Sequence, residues 1–542
     1  MKLILRSVVV LLLLYGLLFA VGDALLARQH APVWVAMVFA AAFIAVQYWY
    51  APRLIEWMMA IHWDDDGGEL PARNREFLRK LCTDRKLRMP RIGIIDSETP
   101  NAFTFGHVPR DARVVVTTGL LKTLSSEEVN AVLAHEVGHV EHWDFVVMTL
   151  AALAPLLLYQ FYRFALRGGG NTQESNDPNN KIPPGVAEGA YLAYLLSQFL
   201  VLLLSRAREY YADRFSAQVT GNPDALASAL VKIAYGMVRV DGEFGHAMQD
   251  ASGDQRARLE WERQEAGSLA LMGICNLRAG RTLALGNAAG AGAAPLMRWD
   301  LVSPWARLYE LSSTHPLTAL RIRALNREAE ALHRPVSHPL PADGQMRWTS
   351  FPLEVLLWAA PWICLGALLA ALELASRLPQ GLAPGLAPLL LVLTGFAWAL
   401  RIWFRYYGVV RPATIRELME DVTVSQMRPR AVRLEGTIVG FGVPGAFWCP
   451  DLVLRDSTGM LYVLYRQSIP FARLFFALSS AERYVDRKVV IEGWFRRGLQ
   501  PYIEMSCLSG EDGKLRRAYS RWIQLGLAAL VVLAGLAWRW KV

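Results

Sequence analysis

Disulfide chemistry has little to work with in this sequence. Its five cysteines, Cys82, Cys275, Cys364, Cys449 and Cys507, are odd in number, scattered, and nowhere spaced as CxxC. That excludes a disulfide framework and leaves reduced, buried small hydrophobes facing no oxidising compartment. Charge is also scarce. Charged residues make up 19% of the 542 positions and hydrophobic ones 53%, where soluble domains carry roughly 25% charge. A wholly soluble chain is therefore disfavoured. Acidic residues are fewer than basic ones, giving a net charge of +9. Such a balance can serve nucleic acid, but in an apolar chain it more often reflects Lys and Arg flanking membrane spans. No internal repeat is present, so a repeat array is excluded. The length leaves room for several domains.

What is present is a set of apolar runs. Seven stretches approach the roughly 20 residues that cross a bilayer: 7–26, 31–50, 145–166, 187–205, 354–374, 380–402 and 520–538. The first holds Asp23 and follows Lys2 and Arg6, so a cleaved signal peptide is the alternative to an anchor there. The second span follows closely and favours the anchor. Twelve Lys and Arg lie in 51–144, and further Arg and Lys cluster in 401–430 and before the last span. The loops on the opposite side carry few. By the positive-inside rule, the N-terminus and the regions 51–144, 206–350 and 403–519 lie in the cytoplasm. The C-terminal tail, with Arg539 and Lys541, then falls outside, against that rule. The stretches 168–185 and 286–295, rich in Gly, Asn, Pro and Ala, read as surface loops.

The chemistry-bearing region begins at an amphipathic helix over 72–87, followed by short strands at 91–96, 101–106 and 113–119. Ser125 and Glu128 then have the spacing of a capping box, which starts a helix that continues through HEVGH (135–139) into the third span. HExxH places two histidines at i and i+4, one turn apart on one helix face, so that both imidazoles can hold one metal ion. Glu136 points near the metal's open position, where it can take a proton from bound water. Two surface histidines would explain the motif taken alone.

A catalytic site of this kind needs a third protein ligand. Directly after the fourth span the chain reads SRAREYYADRFSA (205–217). The third and fourth spans form a hairpin that returns the chain to the same side. At about 1.5 Å per residue, His139 and Glu209 both lie within roughly 10 Å of the membrane surface. Glu209 is thus the candidate third ligand. Asp213, four residues on and on the same helix face, can accept from the outer nitrogen of a ligating imidazole. A solvated juxtamembrane face is the alternative. His142 is the rival ligand. It stands about 10 Å along the helix from His135, and the glycine of HExxHxxGxxH that would let the chain turn back is missing.

The sequence resembles the HtpX-type membrane zinc metalloproteases, which are related to the CAAX prenyl proteases. The matching motifs are NAFTFG (101–106), VVVTTGLL (114–121), AHEVGHVEHWD (134–144), SRAREYYAD (205–213) and STHPLTALRI (313–322). The resemblance covers about residues 1–330. It implies a cytoplasm-facing endopeptidase that cuts membrane or misfolded proteins, with Zn2+ on His135, His139 and Glu209 and with Glu136 as base. It further implies that Asn101, Ala102, Phe103 and Gly106 belong to a strand along which substrate pairs. Peptides do bind proteases as an added strand at a sheet edge, although a plain core hairpin fits the same residues. His315 either sits near the site as an oxyanion donor or caps a helix begun by Pro316, the cap being favoured.

The last third departs from that pattern. Alternating runs at 431–440, 451–456, 459–467, 487–497 and 501–508, with a helix near 470–482, fit a small barrel of OB type. Tyr462, Tyr465, Trp494 and Arg496 are its candidates for nucleic-acid contact, but an adaptor or structural module is the better reading and no nucleic acid is expected. The expectation is therefore a mainly α membrane protein with a zincin-like α+β protease domain and a small C-terminal β domain. Its parts are two spans in 1–50, a protease domain over 51–350 containing the hairpin 145–205, two spans in 351–403, the β domain over 404–516, and a last span in 517–542. The expected partners are protein or peptide substrates and the bilayer. The expected location is an integral multi-pass one, in the inner membrane if the source is bacterial. The alternatives are a CAAX-type prenyl protease and a non-catalytic membrane scaffold. The oligomeric state is not legible.

Overall fold

The computed structural model describes residues 33–65, 68–168, 185–234, 294–340, 346–374, 383–441, 451–467, 482–498, 500–511, 513 and 515–541. The chain divides into two compact units: 1–240 with 251–280 and 310–340, and 241–250 with 281–309 and 341–542.

In the first unit, α1 (Val33–Met58) leads to β1 (Ile61–Trp63) and α2 (Ala72–Asp84). Then come β2 (Arg91–Ile95), β3 (Ala102–Phe105), β4 (Arg113–Thr117), α3 (Thr118–Thr123) and α4 (Ser126–Glu141). The four strands form one sheet in the order β1-β2-β4-β3. β2 and β4 are parallel, and β3 runs antiparallel to β4, with Ala102 opposite Val116 and Phe105 opposite Arg113. β3 is therefore the edge strand, with no further strand paired to its other side among the described residues. The three strands read from the sequence are present. β1 is an addition, because three residues are too few to show a period.

α4 starts where the capping box predicts. Ser125 accepts from the Glu128 amide and Glu128 from the Ser125 amide. Val132, Leu133 and Ala134 are fully buried along this helix; burying each Val or Leu contributes about 1.5–3 kcal/mol. Asn74 of α2 fastens the helix start by donating to Ser126 O and Asn130 Oδ1. α4 does not run into the third span, contrary to the sequence expectation. It ends at Glu141, with His142 as its cap. Trp143 takes a left-handed φ of +59°, which costs an L-residue about 1–2 kcal/mol. A new helix, α5 (Asp144–Gly168), then begins.

The fourth span and the Glu209 segment are one continuous 35-residue helix, α6 (Val186–Thr220). α7 (Thr318–Ala331) also belongs to this unit.

The second unit holds α8 (Phe351–Leu374), α9 (Ala383–Arg405), α10 (Ile415–Glu420) and α11 (Ser520–Lys541). Its sheet contains β5 (Arg411–Pro412), β6 (Arg430–Phe441), β7 (Leu452–Arg455), β8 (Met460–Leu464), β9 (Lys488–Arg496), β10 (Tyr502–Gly510) and β11 (Leu515–Arg517). β6, β7, β8, β10 and β9 pair in sequence and β9 returns to β6, so these strands close into a ring. The ring is antiparallel except where β10 runs parallel to β8. The five alternating runs are all strands. Of the residues named as nucleic-acid candidates, Tyr462, Tyr465 and Arg496 are buried, and Trp494 is half-buried and packs against Tyr406, next to the end of α9. The helix expected near 470–482 lies outside the described residues.

Five described helices are long and apolar enough to cross a membrane: Asp144–Arg163, Val186–Thr220, Phe351–Glu373, Gly385–Arg405 and Ser520–Trp540. They carry the third to seventh apolar stretches. The second stretch forms α1, which is not among those five. The first stretch and the loops 169–184 and 286–293 lie outside the described residues. Cys82, Cys364 and Cys507 are free thiols.

Candidate metal centre

Three side chains from two helices converge. His135 and His139 stand one turn apart on α4, with Nε2 atoms 3.2 Å from each other. Glu209 reaches them from α6: its Oε2 is 3.7 Å from His135 Nε2 and its Oε1 is 3.8 Å from His139 Nε2. Ligand atoms of the three all lie within 4.8 Å of one another, close enough to hold a metal ion. The helices can approach because Gly138 has no side chain. A Cβ there would lie 3.1 Å from Ala212 Cα on α6. Nothing in the spacing argument had marked that glycine.

The outer nitrogens are tied back. His135 Nδ1 lies 3.0 Å from Asp213 Oδ1, the partner expected from the sequence. His139 Nδ1 lies 2.5 Å from Asp144 Oδ2, a contact the sequence reading missed although Asp144 closes the HEVGHVEHWD motif. Arg321, within STHPLTALRI, was missed too. It donates to both oxygens of Asp213, at 2.8 and 2.6 Å, and its Nη1 is 3.4 Å from Glu209 Oε2. No local pattern could link residues 108 positions apart.

His142 stands apart from this group. Its Nδ1 lies 2.7 Å from Gly138 O, and its ring packs near Tyr211 and Phe215.

The arrangement favours a cation. Glu209 Oε2 is buried and, among the described residues, accepts no hydrogen bond, a costly state for a carboxylate oxygen. Burial alone would push His139 towards its neutral form. The Asp144 hydrogen bond, with Glu209 and Glu136 close by, overrides this and raises its proton affinity. The carboxylates of Asp144, Glu209 and Asp213 face the guanidiniums of Arg208 and Arg321. Two imidazole nitrogens and a carboxylate are also the donor set of catalytic zinc sites. The residues present therefore fit a metal.

Glu136 is buried beside the histidines, and Thr104 Oγ1 of β3 donates to its Oε2 at 2.5 Å. A cavity of about 270 Å³ opens here, lined by Ala102, Phe103 and Thr104 of β3, by the metal-site residues, and by Phe145 and Met148 of α5. Asn101 is not part of the strand. It is fully buried, and its Oδ1 accepts from the Ala102 amide. Gly106 follows the strand, where a Cβ would lie 2.6 Å from Asp111 O.

His315 also lines the cavity, with Nδ1 3.2 Å from Glu209 Oε1. It caps nothing: α7 begins at Thr318, after an N-cap at Leu317 with no side-chain bond. The favoured helix-cap reading is thus replaced by one that puts His315 at the site. Ser205 and Arg206 of α6 hold the preceding segment through bonds to the carbonyls of Thr314, Glu310 and Ser313.

Comparison with known proteins bears on this geometry. The family model for peptidase family M48 matches residues 72–329. A protein described as "Protease HtpX homolog" from Methanothermobacter thermautotrophicus is 36% identical over 233 residues, 43% of this chain and 84% of that protein. Another of the same description, from Moorella thermoacetica, is 37% identical over 208 residues, 38% of this chain and 68% of the relative. A solved structure, the crystal structure of S. mikatae Ste24p, aligns at 20% identity with a TM-score of 0.32. It covers 42% of this chain and 57% of that one, a likeness too loose to carry an argument.

Proposed function

The chain belongs to peptidase family M48, and on that premise we propose that it is a zinc-dependent membrane endopeptidase acting on membrane or misfolded proteins. That it is a membrane protease follows from its relatives and its long apolar helices. The finer reading rests above all on one observation, the convergence of His135 Nε2, His139 Nε2 and the Glu209 carboxylate beside Glu136. These three residues would hold zinc. When bound, zinc would polarise the scissile carbonyl and acidify water beside it.

The chain's own groups would do the rest. Glu136 would take a water proton on its carboxylate and deliver it to the leaving amine. Thr104 holds Oε2 of that carboxylate, leaving Oε1 as the working oxygen. The open edge of β3 would bind a stretched peptide through main-chain hydrogen bonds that do not depend on sequence. Its Ala102–Phe105 segment borders the cavity, which supports this role. His315, in hydrogen-bonding reach of the same space, would donate to the developing oxyanion.

We read residues 51–350 as the protease domain, zincin-like, with its site on the cytoplasmic side. The ring β6-β7-β8-β10-β9 has the five-stranded closure of an OB-type barrel and serves as an adaptor. The prenyl-protease alternative shares the zinc chemistry and gains no separate support. Glu136→Gln decides the mechanism: cleavage of an unprenylated peptide should vanish while about one zinc per chain remains bound. Undiminished turnover in that variant would remove Glu136 as the base.

A further inference from the structure

His139 is held from behind by residues of the membrane hairpin. On a continuous helix, positions 139 and 144 would lie about 140° apart around the axis, out of reach of each other. The left-handed Trp143 breaks the helix, and α5 restarts with Asp144 turned back onto His139 Nδ1 at 2.5 Å. The other oxygen of Asp144 lies 2.7 Å from Arg208 Nε on α6, one residue before Glu209. Asp144 is 3% exposed. The pattern repeats at His135, where Asp213 is backed by Arg321. Each imidazole thus has a carboxylate behind it, and each carboxylate has a guanidinium. Strained backbone retained beside a reactive group is the kind of feature that function preserves.

We propose that Asp144 and Arg208 are positioning residues for the metal. Asp144 fixes the His139 tautomer with the proton on Nδ1, which leaves the Nε2 lone pair for the ion. Arg208 keeps Asp144 in place across the helix junction. The transmembrane hairpin is then part of the metal site and not merely its tether: α5 aims the second ligand and α6 carries the third. This rests on the zinc reading above.

The test measures affinity for zinc ion alone, by chelator competition on the full chain in detergent, with the Co2+ absorption spectrum as a report on ligand geometry. Asp144→Asn and Arg208→Gln should each weaken zinc about 10–100-fold, the range for lost outer partners of a ligand, and should shift the Co2+ bands. Arg208→Lys should recover most of the affinity. The double variant should be no weaker than Asp144→Asn, because Arg208 acts through Asp144. Should Asp144→Asn not fold, Arg208→Gln carries the test. Wild-type affinity in either variant, or additive losses in the double, would overturn the proposal. Absence of zinc binding by the unaltered chain would instead overturn the zinc reading itself.

Discussion

Replacing Gly138 with alanine asks how closely the two metal-bearing helices must approach. Gly138 sits between the histidines of HEVGH, and its missing side chain is where α4 meets α6. A Cβ there would lie 3.1 Å from Ala212 Cα, 3.2 Å from Phe215 Cδ1 and 3.4 Å from Ala212 Cβ. The nearest of these is backbone and cannot rotate aside, so the helices must part by a few tenths of an ångström. Two stability terms oppose each other. Alanine in a helix interior gains about 0.5–1 kcal/mol over glycine. Overpacking a filled contact costs about 1–3 kcal/mol. The net loss should be about 0–2.5 kcal/mol, and the protein should still fold. The metal site tolerates less, because ligand distances hold to within about 0.2 Å and Ala212 lies three residues from Glu209. Zinc affinity should fall about tenfold or more, equivalent to about 1.4 kcal/mol or more. The assay is chelator competition beside thermal unfolding of the metal-free protein in detergent. Gly189→Ala is the control, since that glycine is also on α6 and has nothing within 4 Å of its Cβ position. It should leave zinc affinity alone. If Gly138→Ala binds zinc as tightly as Gly189→Ala does, the close approach has no bearing on the site and the reasoning fails.

Other perturbations separate the remaining claims. Glu209→Ala should lose most bound zinc, whereas His142→Ala, whose ring bonds Gly138 O, should keep it; metal analysis giving the reverse would reassign the third ligand. Reporters inserted at Gly68 and Gly185 should behave as cytoplasmic and external respectively, given the twelve basic residues in 51–144, and a periplasmic-type signal at Gly68 would refute the orientation. In the second unit, Glu504→Ala should destabilise by about 3–5 kcal/mol, because it strands the fully buried Arg496 that Glu504 now pairs at 2.9 Å. Burial pushes the Glu504 carboxyl up, but Arg496, Arg405 and Arg466 outweigh it and hold the group below its usual range. A folded-state value below the unfolded one stabilises above about pH 4.3 and is lost as pH falls through the folded value. Acid unfolding followed from pH 6 downward should therefore show a stability loss that Glu504→Gln lacks.

The sequence alone determined whatever is written in short range. The capping box at Ser125 and Glu128, the one-turn spacing of His135 and His139, the strands at 91–95, 102–105 and 113–117, and the long apolar runs all follow from local periodicity and hydrogen bonding. The hairpin argument reached Glu209 because two crossings of a bilayer return a chain to its starting side. Tertiary structure decided the rest. The helix break at Trp143 has no glycine or proline to announce it, so only the folded chain turns Asp144 onto His139. Arg321 meets Asp213 across 108 positions, and His315 faces Glu209 instead of capping a helix. The barrel strands were readable one by one, but their closure depends on β10 lying parallel to β8. A pairing between distant segments leaves no period in either one. Local signals place a residue on a face, and only packing selects what that face meets.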